Sequence, residues 1–217
     1  MDMISRLGAM CDDELMTDEE FLEDRRSALQ ESVEYFSAEH KPEREQWVCI
    51  EFLTNLGLTF NEDEVLSSKE DPPDVLFRDA AFEIKEILDP GRKRHDEFKK
   101  SYQKALEATK PEDPLTEYTP IDITPDQISI LILKELERLQ YRYAPDVKSN
   151  LDLLFYVNLT DNLLKEGAMP SAQKFDTFGW RSISAIFGWG GLIFFANDIS
   201  PDFIYSRVGT LTQKKFE

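Results

Sequence analysis

Three ionisable side chains lie close together in one short part of the sequence. Asp74 follows a Pro-Pro pair, and Glu83 and Lys85 stand two residues apart in the apolar segment AAFEIKEI. Burying a carboxylate and an ammonium group in a strand is unfavourable unless the two charges pair, bind a metal ion or take part in a reaction. These three residues are therefore the first candidates for chemistry.

Two carboxylates beside a lysine suit metal-assisted hydrolysis. Carboxylate oxygens, together with water and a phosphate oxygen, form the incomplete oxygen shell that Mg²⁺ prefers. Such a metal ion generates hydroxide from bound water and neutralises charge on a phosphoryl group. A neighbouring lysine orients the attacking water or stabilises the transition state as a point charge.

The segments DVLF and AAFEIKEI are predicted to form an antiparallel hairpin that positions these side chains. A register that pairs Phe77 with Phe82 sets Asp74 opposite Lys85. The strand period of two then directs the apolar side chains toward a core and the three charged side chains to the opposite face. A slip of one residue would bury the charges, so the apolar pattern itself favours this arrangement.

Helical and strand patterns follow each other along the rest of the chain. Helices are predicted at residues 17–40, 43–57, 95–109 and 124–143. Strands are predicted at 151–159, 182–187 and 192–196. The first of these strands, LDLLFYVNL, is apolar almost throughout, as expected at the centre of a sheet covered on both faces. The sequence therefore predicts the α/β class, with a mixed sheet flanked by helices.

The charge of the chain is negative and unevenly distributed. The 217 residues carry a net charge of −18 at pH 7, and residues 1–40, with 12 acidic and 3 basic side chains, hold half of this excess. Such a charge disfavours loose, sequence-independent attraction to nucleic acid because phosphates are repelled. We therefore expect an acidic helical arm, 1–40, and an α/β domain, 41–217.

One local exception directly follows the charged motif, because residues 92–104 hold six basic side chains against two acidic ones. The residues expected to bind a phosphate backbone are Arg92, Lys93, Arg94, Lys99 and Lys100. The same residues equally fit a solvated helix face that balances the acidic arm. A further hypothesis is that the acidic residues 12–24 fold over this basic segment and compete with nucleic acid for it.

Cysteine content and hydropathy limit the compartment. Cys11 and Cys49 are too few for a disulfide framework, which is typical of a reducing compartment. The N-terminus lacks the basic flank and long apolar stretch of a leader, and the longest apolar run near the end, GWGGLIFFA, is too short to span a bilayer. The sequence predicts a soluble, cytoplasmic protein without a membrane partner.

The charged motif resembles the PD-(D/E)xK signature of restriction-endonuclease-like nucleases. Asp74 follows a proline, and Glu83, Ile84 and Lys85 lie on the next predicted strand. The order of the predicted elements over roughly residues 42 to 160 is similar to the αβββαβ core of that superfamily. The chain as a whole also resembles an uncharacterised bacterial family of endonucleases. The resemblance implies hydrolysis of phosphodiester bonds, in DNA, by a metal-dependent endonuclease.

The same resemblance implies a role for each residue of the motif. Asp74 and Glu83 would be ligands of Mg²⁺ or Mn²⁺, and the Ile84 carbonyl would supply a third oxygen. Lys85 would lie beside the nucleophilic water.

Relatives often add a glutamate from the helix before the motif, and Glu45 or Glu51 could serve here. Glu45 is favoured because it lies near the start of that helix, away from the apolar stripe. Two-fold pairing is common in such nucleases, so the resemblance also implies a homodimer.

Two other classes of protein also fit the sequence. A non-catalytic module of the same fold, for protein interaction or nucleic-acid binding, fits the low isoelectric point, although the intact Asp, Glu and Lys speak against it. A structural acidic partner protein would carry a surface hairpin whose cross-strand ion pairs contribute roughly 0.2–1 kcal/mol each. That last interpretation requires Asp74, Glu83 and Lys85 to point apart.

Overall fold

The computed structural model describes residues 16–113 and 119–214 of the chain. Its helices are α1 Asp18–Tyr35, α2 Lys41–Asn55, α3 Arg94–Glu107, α4 Pro125–Leu139, α5 Pro145–Lys148, α6 Gln173–Asp176 and α7 Asp202–Tyr205. Its strands are β1 Val65–Ser67, β2 Val75–Phe77, β3 Ala80–Leu88, β4 Ile121–Ile123, β5 Asp152–Asn158, β6 Asn162–Leu164, β7 Ser182–Phe187, β8 Gly190–Ala196 and β9 Thr210–Gln213. Among the residues described, no helix combines the length and the apolar character needed to cross a membrane.

The chain divides into two compact units. One combines Met1–Phe36 with Arg94–Glu117, and the other combines Ser37–Lys93 with Tyr118–Glu217. The first unit contains α1 and α3, and the second contains the sheets and the other helices. The boundary at residue 40 that the charge suggested stays a prediction.

A seven-stranded mixed sheet in the order β1-β2-β3-β5-β7-β8-β9 forms the centre of the second unit. β5 pairs in parallel with β3 and β7, and it is buried on both faces because its side chains alternate between two apolar clusters. Leu153 packs in the cluster that contains Ile132 of α4, and Leu154 packs in the cluster that contains Phe52 of α2. The predicted α/β class, with a mixed sheet flanked by helices, is confirmed.

Local sequence signals mark where α1 and α4 begin. Thr17 and Glu20 form a reciprocal capping box at the start of α1, and Thr124 and Gln127 form the same arrangement at the start of α4. Each box satisfies two backbone N–H groups that have no partner inside the helix. Pro125 fits the first turn of α4 because that position needs no N–H donor.

The hairpin of β2 and β3 has the predicted faces but a different register. Val75 pairs with Phe82 and Phe77 pairs with Ala80, so the predicted pairing of Phe77 with Phe82 is wrong by two residues. The reason is the tight two-residue turn, in which Arg78 adopts a φ of 53°. An even shift leaves every side chain on its predicted face, and it sets Asp74 beside Glu83 instead of beside Lys85.

The helical unit pairs α1 and α3 in antiparallel fashion. Arg26 donates hydrogen bonds to the carbonyl oxygens of Ala105 and Ala108, at 2.9 and 3.0 Å, near the end of α3. At the other end of the pair the rings of Phe36 and Phe98 stack, with centroids 4.6 Å apart. The acidic first turn of α1 therefore lies at the end of the pair where α3 finishes. Of the acidic segment 12–24, residues 12–15 lie outside the described part of the chain.

Asp152 is a fully buried carboxylate at the start of β5. The Arg181 guanidinium donates to it through Nε at 3.0 Å and through Nη2. The Ser182 hydroxyl donates to it at 2.7 Å, and the backbone N–H of Ala81 donates at 3.1 Å. This network ties together the first residues of β3, β5 and β7.

Removing the Asp152 carboxylate should destabilise the fold strongly. Asp152→Ala leaves the Arg181 guanidinium without its counter-charge, so we expect the free energy of unfolding to fall by about 3–5 kcal/mol. Urea unfolding followed by circular dichroism measures this loss. The exposed Asp198 provides the control, since Asp198→Ala should change stability by less than about 0.5 kcal/mol. Equal stability of the two variants would contradict the structural role of Asp152.

Candidate metal centre

The edge of β3 is open beyond the end of its pairing with β2. The last residue pair between β2 and β3 is Val75 with Phe82, whereas β3 continues to Leu88. Asp74 fills the next position: its backbone N–H donates to Phe82 O at 2.9 Å, and its Oδ2 accepts from the N–H of Ile84 at 2.8 Å. The Asp74 side chain therefore takes the place of a strand partner for Ile84.

Glu83 is almost completely buried, with 2% of its surface exposed. Its Oε1 accepts hydrogen bonds from the Lys85 ammonium and from the Tyr143 hydroxyl, the latter at 2.6 Å. Its Oε2 is buried, and none of the residues that the structure describes donates a hydrogen bond to it. An unsatisfied buried carboxylate oxygen is energetically costly.

The Lys85 ammonium lies between the oxygens that the motif predicted as ligands. Besides Glu83 Oε1, it donates to the Ile84 carbonyl oxygen at 3.0 Å and lies 3.9 Å from Asp74 Oδ2. The structure thus brings Asp74, Glu83, Ile84 and Lys85 together at one point, and the charged side chains do not point apart.

Glu45 joins the same cluster from α2. The Lys41 ammonium lies 2.7 Å from Glu45 Oε1 and 3.2 Å from Asp74 Oδ1, so it connects the two carboxylates. Burial and the nearby Asp74 carboxylate raise the pKa of Glu45, and Lys41 opposes that rise. Glu51 lies six residues further along α2 than Glu45. This separation corresponds to a rotation of about 240° around the helix axis, so the two side chains lie on different faces of the helix. The structure thus favours Glu45 over Glu51 as the neighbour of the motif.

Asp71 is an acidic member that the sequence motif did not indicate. One oxygen from each of Asp71, Asp74 and Glu83 lies within 4.8 Å of the others. Oxygens on opposite sides of a Mg²⁺ or Ca²⁺ ion lie about 4–5 Å apart. The cluster therefore has the donor type and approximate spacing of a divalent-cation site.

Tyr143 and Lys41 are two further residues that the sequence did not assign to the site. Burial, followed by the hydrogen bond to Glu83, raises the pKa of the Tyr143 phenol well above its ordinary value. Burial lowers the pKa of Lys41, but the carboxylates of Glu45 and Asp74 outweigh it and raise the pKa overall. The spacing of four residues between Lys41 and Glu45 is a usable helical signal, whereas nothing in the sequence links residue 143 to residue 83.

The predicted phosphate-binding residues differ in their surroundings. Arg92 donates to the carbonyl oxygen of Asn158 at 2.8 Å, and the Arg94 guanidinium lies 3.9 Å from the centre of the Phe36 ring. These two arginines thus have partners within the protein. The side chains that are exposed to solvent in this segment include Lys93, Lys99, Lys100 and Lys104.

The overall fold has a counterpart among solved structures. The protein of unknown function PA4535 from Pseudomonas aeruginosa strain PAO1, described as belonging to the monooxygenase superfamily, is 23% identical in sequence. The alignment covers 91% of this chain and 96% of that chain, with a TM-score of 0.62. This likeness shows a shared fold. No match was found among curated protein sequences.

Residues 17–216 match the family described as "Putative endonuclease, protein of unknown function (DUF1780)". Because the match spans most of the chain, the protein belongs to this family. The predicted resemblance to an uncharacterised family named for endonuclease activity is confirmed at the level of this description, and the wider PD-(D/E)xK superfamily stays a prediction.

The hydrogen bond from Tyr143 to Glu83 should contribute to stability in a pH-dependent way. We expect Tyr143→Phe to lower the free energy of unfolding by about 1.5–3 kcal/mol. The folded-state pKa lies above the unfolded value of about 10, so this contribution is present below about pH 10 and is lost as the pH rises further. Urea unfolding from about pH 6 to 11 measures the difference between the two proteins.

The matched control is Tyr141→Phe, because Tyr141 is 91% exposed and lies two residues away. This variant should keep the stability of the wild type within about 0.5 kcal/mol. If Tyr143→Phe is as stable as Tyr141→Phe, the hydrogen bond to Glu83 does not stabilise the fold.

Proposed function

We propose that the protein is a metal-dependent phosphodiester hydrolase, an endonuclease acting on DNA. The observation that carries the proposal is the convergence of three carboxylates: one oxygen from each of Asp71, Asp74 and Glu83 lies within 4.8 Å of the others, and Glu83 is almost completely buried. In a protein of net charge −18, Glu83 is 2% exposed and shares this cluster with two further carboxylates. The Lys41 and Lys85 ammonium groups offset only part of the negative charge of the clustered carboxylates, and a bound cation would offset the rest.

The residues fit Mg²⁺ or Mn²⁺ because every candidate donor is a hard oxygen. Asp74, Glu83 and the Ile84 carbonyl would hold the ion, and Asp71 would add an exposed fourth oxygen. When bound, the ion would activate a water molecule and offset charge on the phosphoryl group.

The protein's own residues orient this site. The N–H of Ile84 fixes the Asp74 carboxylate, and the Tyr143 hydroxyl fixes the Glu83 carboxylate on the side of Oε1. The Lys85 ammonium holds positive charge at the centre of the cluster, where it can stabilise a phosphoryl transition state as a point charge. Lys85 is therefore the residue proposed to assist the attacking water.

The proposed nucleic-acid substrate is supported by the family description and by the exposed lysines of α3. Because the protein as a whole repels phosphates, contact must depend on local positive charge. We assign this role to Lys93, Lys99 and Lys100, and a smaller one to Arg92 and Arg94, whose side chains have partners within the protein. The homodimer implied by the resemblance stays a prediction.

The net charge of −18 also favours a second candidate, a non-catalytic module of the same fold. Such a module would bind a protein or nucleic acid without cutting it. The cleavage experiment below separates the two functions.

Cleavage of supercoiled, linear and single-stranded DNA with Mg²⁺ or Mn²⁺ tests the proposed activity. We expect the wild type to cut DNA, EDTA to abolish cutting, and Lys85→Met or Glu83→Gln to reduce the rate by at least about 10²-fold. The control is Lys69→Met, because Lys69 is exposed and lies outside the cluster. Folded wild-type protein that cuts neither DNA nor RNA would favour the non-catalytic module.

Nucleic-acid binding by α3 predicts a change in salt dependence. Replacing Lys99 and Lys100 with Gln removes two phosphate contacts, so the slope of log K against log salt should fall by about 1 for each lysine. Fluorescence anisotropy with a labelled duplex in EDTA measures binding without cleavage. Lys69→Gln should leave the slope unchanged, and an unchanged slope in the α3 variants would rule out these contacts.

A further inference from the structure

Lys41 occupies a position between two carboxylates that would otherwise face each other. Its ammonium group lies 2.7 Å from Glu45 Oε1 and 3.2 Å from Asp74 Oδ1. The two acidic side chains are only 14% and 5% exposed, whereas that of Lys41 is 59% exposed. Lys41 therefore reaches in from the surface to neutralise a shielded pair of acids.

Asp74 has a different cation on each of its two oxygens. Oδ1 faces Lys41, and Oδ2 faces the N–H of Ile84 and the Lys85 ammonium. A carboxylate with one oxygen on each side can bridge two cations, as in enzymes that use paired metal ions. In this protein the Lys41 ammonium lies 3.2 Å from Oδ1, whereas the Lys85 ammonium lies 3.9 Å from Oδ2, so the Oδ1 side has the closer ammonium group.

The charges in the cluster add up to a net negative charge that one divalent cation would balance. Its charged members are Glu45, Asp71, Asp74, Glu83, Lys41 and Lys85. With every group ionised, four carboxylates and two ammonium groups leave a net charge of −2. One Mg²⁺ or Mn²⁺ would neutralise this charge, and a second would give a shielded site of charge +2, which is unfavourable.

We propose that Lys41 takes the place of a second metal ion, so that the protein binds a single divalent cation at Asp71, Asp74 and Glu83. This inference rests on the proposed function, since it assumes the metal site described above. Lys41 is a positioning residue: it holds Glu45 and Asp74 Oδ1 together and denies them to another ion. Removing its charge leaves a net charge of −3 and frees an oxygen on each of those two carboxylates.

Titration calorimetry and electron paramagnetic resonance with Mn²⁺ test the inference on the full chain. We expect the wild type to bind one ion in the cluster, with an uncoupled spectrum. Lys41→Met, and independently Lys41→Gln, should bind two ions that share Asp74, with a spin-coupled spectrum. Coupling separates a paired site from adventitious binding to other acidic side chains, which gives uncoupled signals.

Two controls identify the cause of any second site. Lys41→Arg keeps the positive charge and should bind one ion. Combining Lys41→Met with Glu45→Gln removes a ligand of the new site and should also return the protein to one ion. Circular dichroism verifies that each variant is folded.

The outcomes separate this inference from the proposed function. A wild type that binds a coupled pair overturns the inference and leaves metal-dependent hydrolysis standing. A Lys41→Met variant that still binds one ion overturns the role given to Lys41. A wild type that binds no ion in the cluster overturns both proposals.

Discussion

The hydrogen bond from the N–H of Ile84 to the Asp74 carboxylate joins two strands at the point where their ladder ends. Without a side chain there, a backbone donor at an open sheet edge would need water. With it, Asp74 is fixed in direction, and its second oxygen is turned toward α2. The position of Asp74 in the acidic cluster therefore follows from the difference in length between β2 and β3, because β3 continues beyond the end of its shorter partner. Metal sites commonly depend on this kind of outer support for their ligands.

Two buried carboxylates in the same sheet illustrate the difference between a structural and a candidate functional acid. Both oxygens of Asp152 have donors, from the Arg181 guanidinium, the Ser182 hydroxyl and a backbone N–H. Within the described part of the chain, Glu83 has two donors on one oxygen and none on the other. Burial alone does not distinguish them, because each is at most 2% exposed. The two acids differ in how completely they are hydrogen-bonded, and the incomplete hydrogen bonding of Glu83 is what distinguishes it from Asp152.

Much of the site follows from patterns that act over short distances in the sequence. The strand period of two placed the charged residues on one face, and this held despite the shifted register because the shift was even. The register itself depended on the left-handed backbone conformation of Arg78. Because Arg78 is not a glycine, its residue type does not predict this conformation. Tyr143 reaches Glu83 through tertiary packing across 60 residues, and no period or spacing encodes such a contact. Asp71 lies in an irregular segment, where neither helical nor strand periodicity applies.

The helical unit is assembled from two segments of the chain that are made at different times. During synthesis α1 emerges first, and its partner α3 follows only after α2 and the β2–β3 hairpin. Until then Phe36 has no Phe98 to stack on, and the Arg26 guanidinium has no carbonyl oxygens of Ala105 and Ala108 to bind. An isolated helix in water is marginally stable, and α1 gains these contacts only after α3 has been made. Asp71, Asp74 and Glu83 of the acidic cluster are therefore synthesised before α1 can pack against α3.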